Sequence, residues 1–92
     1  MQKLHVMFDN IDQLSAFSVI AEKYPADIDA KKGRYRVNGK SLMCLLALNC
    51  ICEYVELQLL GEQGDNEMLI QRMSERGFAF HIEEPTTESI GT

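Results

Sequence analysis

The stretch Tyr54-Val55-Glu56-Leu57-Gln58-Leu59 constrains the fold more than any other part of this chain. Alternation of apolar and polar residues is the period of a β-strand that buries one face and wets the other. Val55, Leu57 and Leu59 must meet a core, while Glu56 and Gln58 face water. A sheet of such strands needs a cover on one side only. A chain of 92 residues makes one domain, with material for one pair of layers. Helices must supply the cover.

The remaining segments read in the same terms. Leu4-His5-Val6-Met7-Phe8 is a first strand, which Asp9 and Asn10 stop while capping the first helix. From Asp12 to Lys23, the residues Leu14, Phe17, Ala21 and Tyr24 recur at helical spacing, and Pro25 ends that helix. Ala26 to Lys31 and Arg34 to Val37 alternate on either side of Lys32-Gly33, as a hairpin does. Asn38-Gly39 breaks the second of these strands. Ser41 then stands at the N-cap of a short apolar segment, Leu42 to Leu48, whose Leu, Met and Ala content favours helix over strand.

Gly61 to Gly64 form a loop, Asp65 caps a last helix reaching about Arg76, and Gly77 stops it. Phe78 to Ile82 alternates in the manner of a short edge strand. Glu83 to Thr92, polar and carrying Pro85, reads as a loose tail. The expected order is β-α-β-β-α-β-α. That is an α+β open-faced sandwich, a four-stranded, mostly antiparallel sheet with helices on one face. The domain is expected over residues 1–78, with 79–92 as a C-terminal extension. Asp27, Asp29, Arg34, Arg36, Glu56 and Gln58 fall on the open face.

Composition narrows the function. Nine Lys and Arg against fourteen Asp and Glu give a net charge of −5, which speaks against a nucleic-acid surface. Such a charge suits a basic protein partner, and solubility also accounts for it. No apolar run approaches the roughly 20 residues that span a bilayer, so no membrane insertion is expected. Met1-Gln2-Lys3-Leu4-His5 lacks the apolar core of a signal peptide, which points to a cytoplasmic protein. Cys44, Cys50 and Cys52 are odd in number and read as reduced thiols packed like small hydrophobes. Gly61-Glu62-Gln63-Gly64 lacks the lysine of a phosphate-binding loop. With no Ser-His-Asp, Cys-His or metal-ligand set in view, neither an enzyme, a metal site nor a cofactor is expected.

The run Arg34-Tyr35-Arg36-Val37-Asn38-Gly39-Lys40-Ser41-Leu42-Met43-Cys44-Leu45-Leu46-Ala47-Leu48 carries a family likeness. Together with the element order, it resembles HPr, the phosphocarrier of the bacterial sugar phosphotransferase system, in which a Val-Asn-x-Lys-Ser-Ile/Leu-Met segment is typical. The resemblance covers residues 2–78, and its motif specificity lies between Val37 and Leu48. It implies a histidine between strand one and helix one, in a Gly-x-His-x-Arg-Pro-Ala segment, that takes the phosphoryl group. This chain reads Asp9-Asn10-Ile11-Asp12-Gln13-Leu14-Ser15-Ala16 there. Placing Ser15-Ala16 on the family's small pair puts Ile11 at the histidine, Gln13 at the arginine and Leu14 at the proline. A shift of one residue puts Asp12 at the histidine.

The phosphoacceptor position is thus degenerate at Ile11, Asp12 and Gln13. His5 and His81 lie elsewhere and read as strand or surface residues, and helix capping accounts for Asp12. Ser41 matches the serine that a dedicated kinase phosphorylates in HPr of many Gram-positive bacteria. A phosphate there would meet a helix N-terminus, with Lys40 beside it; capping also accounts for this serine.

The short helix is apolar all round. If Leu45 and Leu48 point inward, then Leu42, Met43 and Leu46 occupy the opposing surface, and the resemblance makes this, with Gln13 and Leu14 of helix one, the partner-binding face. The alternative is that the tail folds over it through Phe78, Phe80 and Ile82. The expected function is that of a non-relaying regulatory or adaptor variant that binds a phosphotransferase component or regulator through helices one and two. A small-molecule-sensing domain is the alternative, and a relay-competent carrier with a non-standard acceptor is a more remote one.

Overall fold

The alternating stretch from Tyr54 to Leu59 forms the centre of a sheet. The computed structural model describes residues 1–48 and 51–83. In it β1 (Gln2–Met7) and β4 (Tyr54–Leu59) pair antiparallel, from Gln2 opposite Leu59 to Met7 opposite Tyr54. β2 (Ile28–Lys32) and β3 (Tyr35–Asn38) form the hairpin, closed by the pair Lys32 and Tyr35. Gly33 takes φ +62° in that turn, a conformation that costs a residue without Cβ nothing. β2 also pairs with β4.

The fifth strand, β5 (Ala79–Glu83), pairs antiparallel with the outer edge of β1, from Lys3 opposite Glu83 to Met7 opposite Ala79. The order is β3-β2-β4-β1-β5, so the sheet has five strands rather than the four expected. Glu83, expected in a loose tail, instead closes β5. The rest of that tail, including Pro85, lies outside the described residues, as does Cys50.

Leu4, Val6, Ile28, Ala30, Val55, Leu57 and Leu59 project to one side of the sheet and are buried, as the period-two pattern requires. The cover consists of α1 (Ile11–Glu22), α2 (Leu42–Ala47) and α3 (Gln63–Glu75), which bury Leu14, Phe17 and Ile20, Leu45, and Leu69 and Met73 respectively. Leu14, expected on the partner-facing surface, is fully enclosed in this core. Its helical spacing from Phe17 places both on the inward stripe, which outweighs its nearness to the helix start.

Helix ends refine two expectations. Asn10, and not Asp12, caps α1: its Oδ1 accepts the Gln13 N–H at 2.9 Å, while Gln13 Oε1 accepts the Asp9 N–H at 2.9 Å. Asp12 sits in the first turn, where the helix dipole favours a carboxylate. α3 starts before Asp65, with Glu62 in the N-cap position and no side-chain cap; Asp65 lies in its first turn. At the other end Gly77, at φ +77°, stops α3. The Phe78 N–H donates to the Met73 carbonyl at 3.2 Å and the Gly77 N–H to that of Ser74 at 3.1 Å, the paired bonds of a Schellman turn. That turn drives Phe78 into the core, edge-on to Phe8 and Phe17 at ring separations of 6.0 and 6.3 Å.

A polar bridge then ties the two long connections together. Tyr24, at the end of α1, donates its hydroxyl to Asn66 Oδ1 in α3 at 2.5 Å and accepts the Gly61 N–H at 2.6 Å. Burial pushes the phenol pKa up, so the hydroxyl stays a donor. Tyr24 and Asn66 are both buried, at 3% and 5% exposure, so neither polar group has water as a substitute partner. Tyr24→Phe should therefore cost about 1–3 kcal/mol in urea unfolding, because Asn66 and the Gly61 N–H both lose a partner. Tyr35→Phe, at a position 68% exposed, should stay within about 0.5 kcal/mol of wild type.

Candidate functional site

The turn between β1 and α1 is where the family likeness directs attention, and its side chains are already committed. Gln13 and Asn10 are occupied in the reciprocal cap at the start of α1. Ile11 is 57% exposed, and Asp12 is exposed beside it. The chain before β4 braces the turn from outside. The Cys52 N–H donates to the Phe8 carbonyl at 2.7 Å, and Cys52 Sγ lies 3.5 Å from the Asp9 carbonyl. Ile51 joins Asp9, Asn10, Ile11 and Asp12 in lining a shallow open depression. The turn thus offers the apolar side chain of Ile11 and the carboxylates of Asp9 and Asp12, with no imidazole among them.

α2 presents a second surface. Leu45 is fully buried, whereas Met43 is 76% and Leu46 38% exposed; Leu42 is half-buried against the core. The alternative cover does not reach them. Phe78 is in the core, and β5 lies along β1, at the edge of the sheet opposite β3. α2 packs near β3 and α1 instead. Among the described residues, nothing from 78–83 shields Met43 or Leu46.

Ser41 caps α2, its Oγ accepting the Cys44 N–H at 3.2 Å. Lys40, expected to stand by a phosphate on Ser41, is engaged elsewhere. Its ammonium donates to the carbonyls of Tyr24 at 2.7 Å and Ala26 at 3.2 Å, in the connection that follows α1. The backbone before Ser41 is equally tight. A Cβ on Gly39 would come within 2.7 Å of Ile28 Cγ2, and the Gly39 N–H donates to the Ile28 carbonyl at 2.7 Å. Close strand approach explains that glycine.

Both histidines lie on the open face, away from the turn. His5 Nε2 is 2.7 Å from Glu83 Oε1, and the His5 ring stacks on His81 with centroids 5.0 Å apart. The hydrogen bond to His5 holds the Glu83 carboxyl below the ordinary carboxylate range, and the Lys3 ammonium adds to the effect. Sequence reading placed these residues singly and missed the group, since His5 and Glu83 are 78 positions apart and only the β1–β5 register joins them.

No family model matches the sequence, and no curated protein matches it. Among solved structures, the crystal structure of HPr-C-His from Thermoanaerobacter tengcongensis superposes with a TM-score of 0.65 at 19% identity. The match covers 83% of this chain and 94% of that one. At that identity the likeness establishes architecture: the chain has the α+β open-faced sandwich of an HPr-like protein.

Proposed function

We propose that this protein is a non-relaying, HPr-like regulatory or adaptor protein that docks a phosphotransferase component through α2 and the start of α1. The observation that carries the reading is the placement of its imidazoles. Both described histidines sit on the open sheet face, while Ile11, Asp12 and the cap-bound Gln13 occupy the turn where the fold family's chemistry would lie. Exposed Met43 and Leu46 support the docking half of the proposal, because adaptable apolar side chains held in water favour a partner's cover. Ser41 is the proposed point of regulation. A phosphate there would place charge beside Leu42 and Met43, and a partner would have to match it with a cation or bind less well. The reading places the protein in the bacterial cytoplasm and gives it no catalysis of its own.

Small-molecule sensing stays as a second reading on one observation. A groove between the β2–β3 turn and the end of α2 is lined by Arg34, Tyr35, Val37, Ala47 and Leu48.

Incubation with phosphoenolpyruvate and the general phosphotransferase enzyme should leave the chain unlabelled. Acid-labile label on His5 or His81 at a rate comparable to HPr would sink the non-relaying claim. Met43→Asp should weaken binding of the phosphotransferase component by about tenfold or more, while unfolding free energy changes by less than about 1 kcal/mol. Leu45→Asp, which buries an unpaired charge, should cost more than about 3 kcal/mol. Ser41→Ala should cost about 0.5–2 kcal/mol through loss of the cap, and Ser41→Asp should restore it while altering partner affinity. Equal affinity for wild type and Ser41→Asp would leave Ser41 a cap alone.

A further inference from the structure

The β-sheet registers gather, on its open face, side chains that the sequence scatters. His5 on β1 lies opposite Glu56 on β4 and opposite His81 on β5, and Glu83 stands two residues after His81 on the same face. One ligand atom each from His5, Glu56 and Glu83 falls within 4.8 Å of the others. All three side chains are half-buried, which restrains their rotamers while leaving one side open to water.

We propose that His5, Glu56 and Glu83 form a site for a divalent transition-metal ion of the zinc type. An imidazole with two carboxylates is a donor set that suits zinc, cobalt or nickel, and a hard ion such as magnesium or calcium has no use for the imidazole. Zinc holds nitrogen and oxygen ligands at about 2.0–2.2 Å, which sets tetrahedral ligand atoms about 3.3–3.6 Å apart. His5 Nε2 and Glu83 Oε1 must therefore open from 2.7 Å while Glu56 starts within 4.8 Å of both, a change that side-chain rotation supplies. The fourth position faces solvent and takes water or a donor from a bound partner.

The surroundings support the arrangement. Gln58, only 6% exposed, donates its amide to Glu56 Oε2 at 2.6 Å and fixes that carboxylate. Such outer contacts orient ligands and set affinity. His81, stacked on His5, holds the plane of the imidazole, and Tyr54 lies against His81 at 5.5 Å between ring centroids. Without metal, His5 Nε2 and Glu83 Oε1 lie at hydrogen-bond distance, 2.7 Å. Metal binding replaces that hydrogen bond: the bond from Nε2 to the ion forms, and any proton on Nε2 moves to Nδ1 of a neutral ring or leaves for solvent. Lys3 opposes binding, since its ammonium is 4.0 Å from Glu83 Oε2.

The test is calorimetric titration of zinc chloride into the full chain at neutral pH. The thiols would bind zinc themselves, so Cys44, Cys50 and Cys52 are first replaced by serine. One ion per chain should bind in the micromolar range, and magnesium and calcium should not compete. His5→Gln and Glu83→Gln should each weaken zinc at least about tenfold, and Gln58→Ala should weaken it to a smaller degree. Lys3→Gln should tighten it. Each variant's thermal midpoint without metal shows that the sheet is intact, and imidazole NMR shifts on zinc addition should mark His5. No binding by the cysteine-free chain, or binding unchanged by His5→Gln with the fold intact, would overturn the proposal.

Discussion

Phe78 is the contact on which the rest of the structure depends. It comes directly after the left-handed Gly77 turn, and its ring completes an edge-to-face cluster with Phe8 from the end of β1 and Phe17 from α1. Burying it fixes the direction in which the chain leaves α3, and that direction lays β5 along β1. The effects reach opposite edges of the molecule. The open edge of β1 is closed by a paired strand, which removes an unsatisfied row of backbone groups. Residues 78–83 are also carried away from α2, so none of them covers Met43 or Leu46.

The helical side and the open sheet face divide the chemistry between them. On the helical side, side chains that an anion-handling site would use serve the fold instead. Gln13 completes the α1 cap, Lys40 satisfies the carbonyls of Tyr24 and Ala26, and Ser41 caps α2. On α2 the exposed side chains Met43 and Leu46 are apolar, the character of a surface that meets another protein. On the open face, His5 and Glu83 pair across β1 and β5, and Gln58 holds Glu56 within β4.

Much of this was legible in the sequence wherever a local period or a single residue type decides the matter. The alternation from Tyr54 to Leu59, the helical stripe of Leu14, Phe17 and Ala21, the stop at Gly77 and the cap at Ser41 are all in place. The misjudgements arose where tertiary contacts choose between locally equal options. Asn10 and Asp12 are both good caps, and the reach of Gln13 back to Asp9 selects the former. Glu83 is polar and near a proline, which reads as tail, yet pairing with β1 holds it in a strand. Lys40 stands next to Ser41 in sequence, but its ammonium reaches the carbonyls of Tyr24 and Ala26 in the connection after α1. The cluster of His5, Glu56 and Glu83 had no local signal, since only register brings those positions together.

The proposed docking of a phosphotransferase component uses α2 and the β1–α1 turn and leaves the open sheet face uninvolved. The most direct measurement is the backbone amide NMR spectrum of labelled chain during titration with the general phosphotransferase enzyme. Docking there should confine shifts or broadening to Ile11, Asp12 and the residues from Ser41 to Leu46, with His5, Glu56 and His81 unmoved. Perturbations centred on β1, β4 and β5, or a spectrum unchanged at saturating enzyme, would contradict it.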